Sequence, residues 1–86
     1  METFPKVKEV VPKSNKRLLI TFQNGIQKIY DCSALLNDKH FYLLSDDTLF
    51  KSVKIDNDGY GISWNEEIDL SESELWIHGT PPEQVH

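Results

Sequence analysis

The stretch Arg17 to Cys32, RLLITFQNGIQKIYDC, decides the fold. Leu18, Ile20 and Phe22 alternate with Arg17, Thr21 and Gln23, the period of a strand with one buried face. Asn24-Gly25 follows at once, and both residues tolerate the positive φ that a two-residue type I′ turn requires. The returning strand runs from Ile26 to Cys32. With a two-residue turn Gln23 pairs with Ile26, so Ile20 stands opposite Ile29 and Leu18 opposite Asp31. A slip of one residue would turn Ile29 out to water, because successive side chains point to opposite faces.

Upstream of this hairpin, Val7, Val10 and Val11 form a β-branched stretch. Pro12, which has no N–H to give to a ladder, is expected to end it. Downstream the period changes. Asp31 or Ser33 is placed to cap a short helix holding Leu35 and Leu36. Phe41, Leu44, Leu49 and Phe50 suit a second short helical stretch, with Asp46 and Asp47 near its start. Val53 and Ile55 read as a fourth strand, Asn57-Asp58-Gly59 as a turn, and Ile62 with Trp64 as one face of a fifth strand. Ser71 with Glu74 three residues on is a capping box, opening a terminal helix with Leu75, Trp76 and Ile77. Gly79 stands where a left-handed residue closes a helix, and Pro81-Pro82 prevents continuation. The expected fold is therefore α+β: a small, mainly antiparallel sheet of about five strands with two short helical segments, in the order β-β-β-α-β-β-α. Residues 1–79 form a single domain and residues 80–86 a flexible tail.

At 86 residues the chain buries about 64% of its extended surface on folding, enough for one core and little for a deep, separately walled active site. No apolar run approaches the ~20 residues of a membrane span. The N-terminus carries Glu2, Lys6, Lys8 and Glu9 where a signal peptide needs an apolar stretch, and Cys32 is the only cysteine. These features point to a reducing cytoplasm. The net charge of −5 is unevenly spread: six of the nine Lys/Arg lie in residues 1–30, and twelve of the fourteen Asp/Glu in residues 31–86. A domain that binds nucleic acid by itself usually carries the opposite overall sign.

The candidate chemistry is thin. An EF-hand-like register from Asp56 through Asp58 and Gly61 to Glu67 lacks an oxygen ligand at Tyr60 and has a strand where the exiting helix belongs. His40, His78 and His86 are widely spaced, with no nucleophile elbow or paired-histidine helix. A lone cysteine at a strand end reads as a small buried apolar residue. Glu66, Glu67 and Asp69 read as solvated charges and helix-dipole partners. Leu75, Trp76 and Ile77 cannot all share one helix face, and a partly exposed tryptophan is a common anchor of protein contacts.

Leu18 to Asp31 with Phe22 and Gly25, then Leu44-Ser45-Asp46, Leu49-Phe50, Val53, Ile55, Trp64, Ile68-Asp69-Leu70-Ser71 and Leu75, form a pattern that resembles the small bacterial family catalogued as domain of unknown function 2442. The likeness runs from Pro5 to about Ile77, with Glu72 where the family often has Pro and Trp76 where it often has Tyr. It implies a small α+β domain with no established catalytic activity. Some longer relatives carry a helix-turn-helix domain, for which the residues after Gly79 are too few. Such proteins tend to be encoded beside another small protein, in pairs that look like toxin–antitoxin units.

The functional expectation is a non-enzymatic protein-binding module, half of a two-protein pair or a homodimer, with no catalytic, cofactor-binding or metal-binding residues and no small-molecule substrate. Its contact residues are expected on the first strand as an open edge, at Lys6, Lys8 and Val10, and at Trp76 on the terminal helix. The alternative is a transcriptional accessory acting with or near DNA.

Overall fold

The computed structural model describes residues 4–82. Strands β1 (Val7–Lys13), β2 (Arg17–Phe22) and β3 (Gln27–Asp31) form one antiparallel meander. Strands β4 (Lys54–Ile55), β5 (Gly61–Ser63) and β6 (Asp69–Ser71) form a second. Two 3₁₀ segments, Ser33–Asn37 and Tyr42–Ser45, lead from β3 to helix α1 (Asp47–Phe50), and α2 (Glu72–His78) follows β6 without a break. The α+β class holds, but the expected sheet of about five strands is corrected. Among the described residues there are six strands in two sheets of three, in the order β-β-β-α-β-β-β-α. The strand missed is β6, where a single buried Leu70 lies between exposed Asp69 and Ser71. One buried residue is too short a period to separate strand from loop.

The hairpin register is also corrected, by one residue. The Phe22 N–H donates to Ile26 O at 2.9 Å and the Gly25 N–H to Phe22 O at 2.9 Å, so the loop is Gln23-Asn24-Gly25. Gly25 takes φ 90°, and Asn24 Oδ1 accepts the Ile26 N–H at 3.0 Å. Asn-Gly serves this three-residue hairpin, with its left-handed last residue, as well as it serves the two-residue one. Leu18 therefore faces Tyr30, Leu19 faces Ile29 and Ile20 faces Lys28. Ile29 turns to the outer face, the consequence that a one-residue slip carries.

Pro12 does not end β1; it lies within the strand opposite Leu18. β1 is the end strand of its sheet, where a missing N–H need cost no ladder bond. The opposite edge of the sheet, β3, is covered by the chain that leaves α2. Ile29 N–H donates to Thr80 O at 2.7 Å, and Thr80 N–H to Ile29 O at 2.9 Å. The segment expected as a tail thus begins with a residue bonded to the sheet, and residues 83–86 lie outside those described.

One core joins the two sheets. Val7, Leu18, Ile20, Phe22 and Tyr30 from the first meet Ile62 and Leu70 from the second and Trp64 and Ile68 from the turn between β5 and β6, with Leu44, Phe50 and Leu75 closing it. Trp64 follows β5, stacks on Phe50 and donates its indole N–H to Phe50 O at 3.0 Å, tying α1 to the second sheet. At α2, Ser71 Oγ accepts the Glu74 N–H at 3.2 Å, half of the expected capping box. The Glu74 carboxylate does not turn back; it accepts the Tyr30 hydroxyl at 2.8 Å and pairs with His78 at 3.0 Å. Gly79 is extended, at φ −72° and ψ 154°, not left-handed. It is needed for room: a Cβ there would stand 2.5 Å from Leu75 O and 3.0 Å from Lys28 Cβ.

Candidate interaction surface

The first sheet has a packed face and an open face, and the register assigns each side chain to one. Val10, Pro12, Leu18, Ile20, Phe22, Lys28 and Tyr30 take the packed side. The open side carries three rows across all three strands: Lys13–Arg17–Asp31, Val11–Leu19–Ile29 and Glu9–Thr21–Gln27. Gln27 Nε2 donates to Thr21 Oγ1 at 3.1 Å, a cross-strand contact on that side. The middle row is apolar and half-buried, and none of its three residues packs against the core. Water reaches one flank of each side chain, so a partner that covered the row would gain the ordinary benefit of apolar burial.

Sequence reasoning missed this row because the register was displaced by one residue. A signal was present in Leu18-Leu19-Ile20, three apolar residues in succession that a one-sided strand cannot all bury.

The residues expected at a contact are scattered. Lys8 is exposed, whereas Val10 faces the core opposite Ile20 and is half-buried there. Lys6 lies 4.5 Å from the ring centre of Tyr60, and its carbonyl accepts the Gln23 N–H at 2.8 Å. Trp76 is half-buried: its ring meets Phe22 edge-to-face at 5.0 Å. Lys28 Nζ lies 3.9 Å from the Trp76 ring centre and donates to the Trp76 carbonyl. A lysine on the packed side of β3 thus runs its stem along apolar surface and ends on an aromatic face. Of Leu75, Trp76 and Ile77, it is Ile77 that points to water, 59% exposed.

An open cleft of about 680 Å³ lies between the β1–β2 loop and α1, lined by Pro12, Lys13, Lys16, Asp47, Phe50 and Lys51. Asn15 and Lys16 both take positive φ in that loop, 61° and 60°, a conformation costing roughly 1–2 kcal/mol at a residue with a Cβ. Lys16 is ion-paired with Asp47, and this pairing holds the Asp47 carboxyl below its usual range. Among the described residues Lys13 and Lys51 make no salt bridge, although the Lys51 charge also helps to lower the Asp47 carboxyl.

The groups with reactive potential do not converge. Cys32 is fully buried, and burial pushes its thiol up to about 12, so at neutral pH it is protonated and not a nucleophile. Glu66, Glu67 and Asp69 are exposed. Asp56 accepts the Ser63 hydroxyl at 2.7 Å, and Gly61 is built into β5. Among the described residues no three His, Cys, Asp or Glu side chains are placed to hold a metal ion, and no helix is long and apolar enough to cross a membrane.

The sequence model of the family described as protein of unknown function (DUF2442) matches residues 7–80. The chain belongs to the DUF2442 family. No curated protein and no solved structure matches it. The DUF2442 span opens on the first residue of β1 and closes on Thr80. It therefore holds all six strands, both helices and the residue that covers the free edge of β3. The open face with its apolar row lies wholly inside it.

Proposed function

We propose that this DUF2442 domain is a protein-binding module without catalysis of its own, docking another chain on the open face of its first sheet. The observation that carries this reading is the Val11–Leu19–Ile29 row, which crosses every strand of the sheet yet serves none of the core. Three side chains make a small patch, below the few hundred square ångströms of a large exposed surface, so the contact is modest in affinity and reversible. Among the described residues the buried thiol and the dispersed acids do not converge on a reaction assembly. The pairing with a second small protein that the family resemblance implies fits the same role.

The test is co-purification from the native cell with the tagged chain and with a Leu19→Glu variant. A second chain, or a second copy, retained by the native domain and lost with the variant supports the reading. No retained chain and no self-association at any accessible concentration would falsify it.

A second reading, an accessory acting with or near DNA, is favoured by one observation, the lysine-lined cleft beside α1. Phosphate contacts of that kind release counterions, so binding would weaken steeply between ~50 and ~200 mM salt. A fluorescence-anisotropy titration of duplex DNA that shows no binding at the lower salt removes it.

A further inference from the structure

We propose that the occupant of the open sheet face is a second copy of this chain, turned over about a two-fold axis that runs along the Val11–Leu19–Ile29 row. This rests on the protein-binding reading above and names the partner. Sheets that pack face to face keep their strands roughly aligned, which leaves two simple ways to place a two-fold axis in the interface, and the charges choose between them.

With the axis along the apolar row, each strand lies over its own counterpart in the other copy, running the opposite way. Val11, Leu19 and Ile29 then stack on their own equivalents. The row on one side of the axis falls over the row on the other. Lys13 lies over Glu9 of the second copy, and this occurs twice by symmetry. Arg17 lies over Thr21, and Asp31 over Gln27, so each meets a neutral hydrogen-bonding side chain. Among the nine residues of the three rows no like charges face one another. Glu9 and Lys13 are both exposed, and neither is ion-paired within the chain among the described residues.

With the axis along the strands, β1 lies over β3 and the central β2 over itself. Lys13 then meets Asp31, but Arg17 meets Arg17 on the axis, a like-charge contact that disfavours this pairing. The first arrangement is the self-complementary one, as an isologous contact requires.

The contact involves nine residues on each copy, against the ~20–30 of a standard interface. Its dissociation constant therefore belongs in the range of ~10 µM to ~1 mM. Sedimentation velocity of the full chain across that range is the experiment, with Glu9→Lys, Lys13→Glu and the double variant beside the native protein. Each single reversal places like charges together twice and is expected to weaken dimerisation roughly tenfold or more. The double variant restores the Lys–Glu pairing with the partners exchanged and is expected to return to near the native affinity. All three variants carry substitutions at exposed positions only, so they fold like the native protein.

A native chain that stays monomeric at ~1 mM, or a double variant no better than the single ones, overturns the proposal. Rescue of Lys13→Glu by Asp31→Lys instead of Glu9→Lys overturns it too, since that assigns the other axis. A monomeric chain that still retains a different protein through Leu19 refutes the self-contact and leaves the protein-binding reading standing.

Discussion

Cys32 and Tyr30 carry their protons more tightly in the folded chain than in the unfolded one. Burial lifts the Cys32 thiol from about 9 to about 12. Tyr30 is raised as well, by burial first and then by its hydrogen bond to the Glu74 carboxylate. As pH rises the unfolded chain releases these protons before the folded one does. Their contribution to stability is therefore complete below about pH 9 and is lost progressively above it. The urea midpoint is expected to fall on the alkaline side of pH 9, and less steeply in a Tyr30→Phe variant. Cys32 in the native protein is expected to resist a thiol reagent at pH 8 and to label only as fast as the chain unfolds. Labelling at the rate of a free cysteine would show that the strand end is open. At this scale the sequence was informative: a lone cysteine following a half-buried strand reads as an apolar residue, and Cys32 is one. The Tyr30–Glu74 bond was not legible, because 44 positions separate its partners and no local pattern links them.

Turns are the elements where sequence and structure part. Asn24-Gly25 marks a hairpin, as it should, but the dipeptide serves two loop lengths, and the length sets the register of everything after it. Asn24 binding the Ile26 N–H accompanies the longer loop here, and β3 rotates so that Lys28 rather than Ile29 covers Trp76. Two glycines test how much of a turn is local. Gly25, at φ 90°, has open space where a Cβ would stand; Gly59, at φ 79°, has Val7 O at 2.5 Å. Gly25→Ala is expected to cost only the conformational penalty, roughly 1–2 kcal/mol. Gly59→Ala adds a backbone clash that pushes the β4–β5 turn away from β1, so its cost is expected to be the larger of the two. Urea unfolding of both variants checks this, and equal midpoints would mean that the contact at Val7 adds nothing. The terminal helix shows the same division. Its start at Ser71 is local chemistry and legible; its end is not, because Gly79 is extended and is needed for room beside Leu75 O and Lys28, not for a left-handed stop.

Helix α2 packs against β3 of the first sheet and against β5 and β6 of the second, and β1 also meets β4 and β5 directly. Leu75 is the helix's fully buried residue. Truncating a buried leucine to alanine costs about 2–5 kcal/mol, against a total stability of roughly 4–13 kcal/mol for a chain of this length. Leu75→Ala is therefore expected to bring the domain close to unfolding at 37 °C. Because the helix and the core serve both sheets, Trp64 fluorescence in a Trp76→Phe variant, which reports the second sheet, and far-UV circular dichroism, which reports the whole, are expected to lose their signals together in urea. Two separated transitions would mean that the sheets are independent units joined only by the chain.

Alternation over Leu18–Phe22, the Asn24-Gly25 turn and the Ser71 cap specify their elements by chemistry confined to a few neighbouring residues, and these alone determined the α+β class and most of the strand order. The pairing of β6 with β5, the partition into two sheets and the exposure of the Val11–Leu19–Ile29 row were decided by the tertiary structure. Each depends on a contact between residues distant in sequence, whose free energy appears only once the chain has closed. The open face follows from the same cause: a loop one residue longer than expected turned Ile29 outward, and the core was completed from elsewhere.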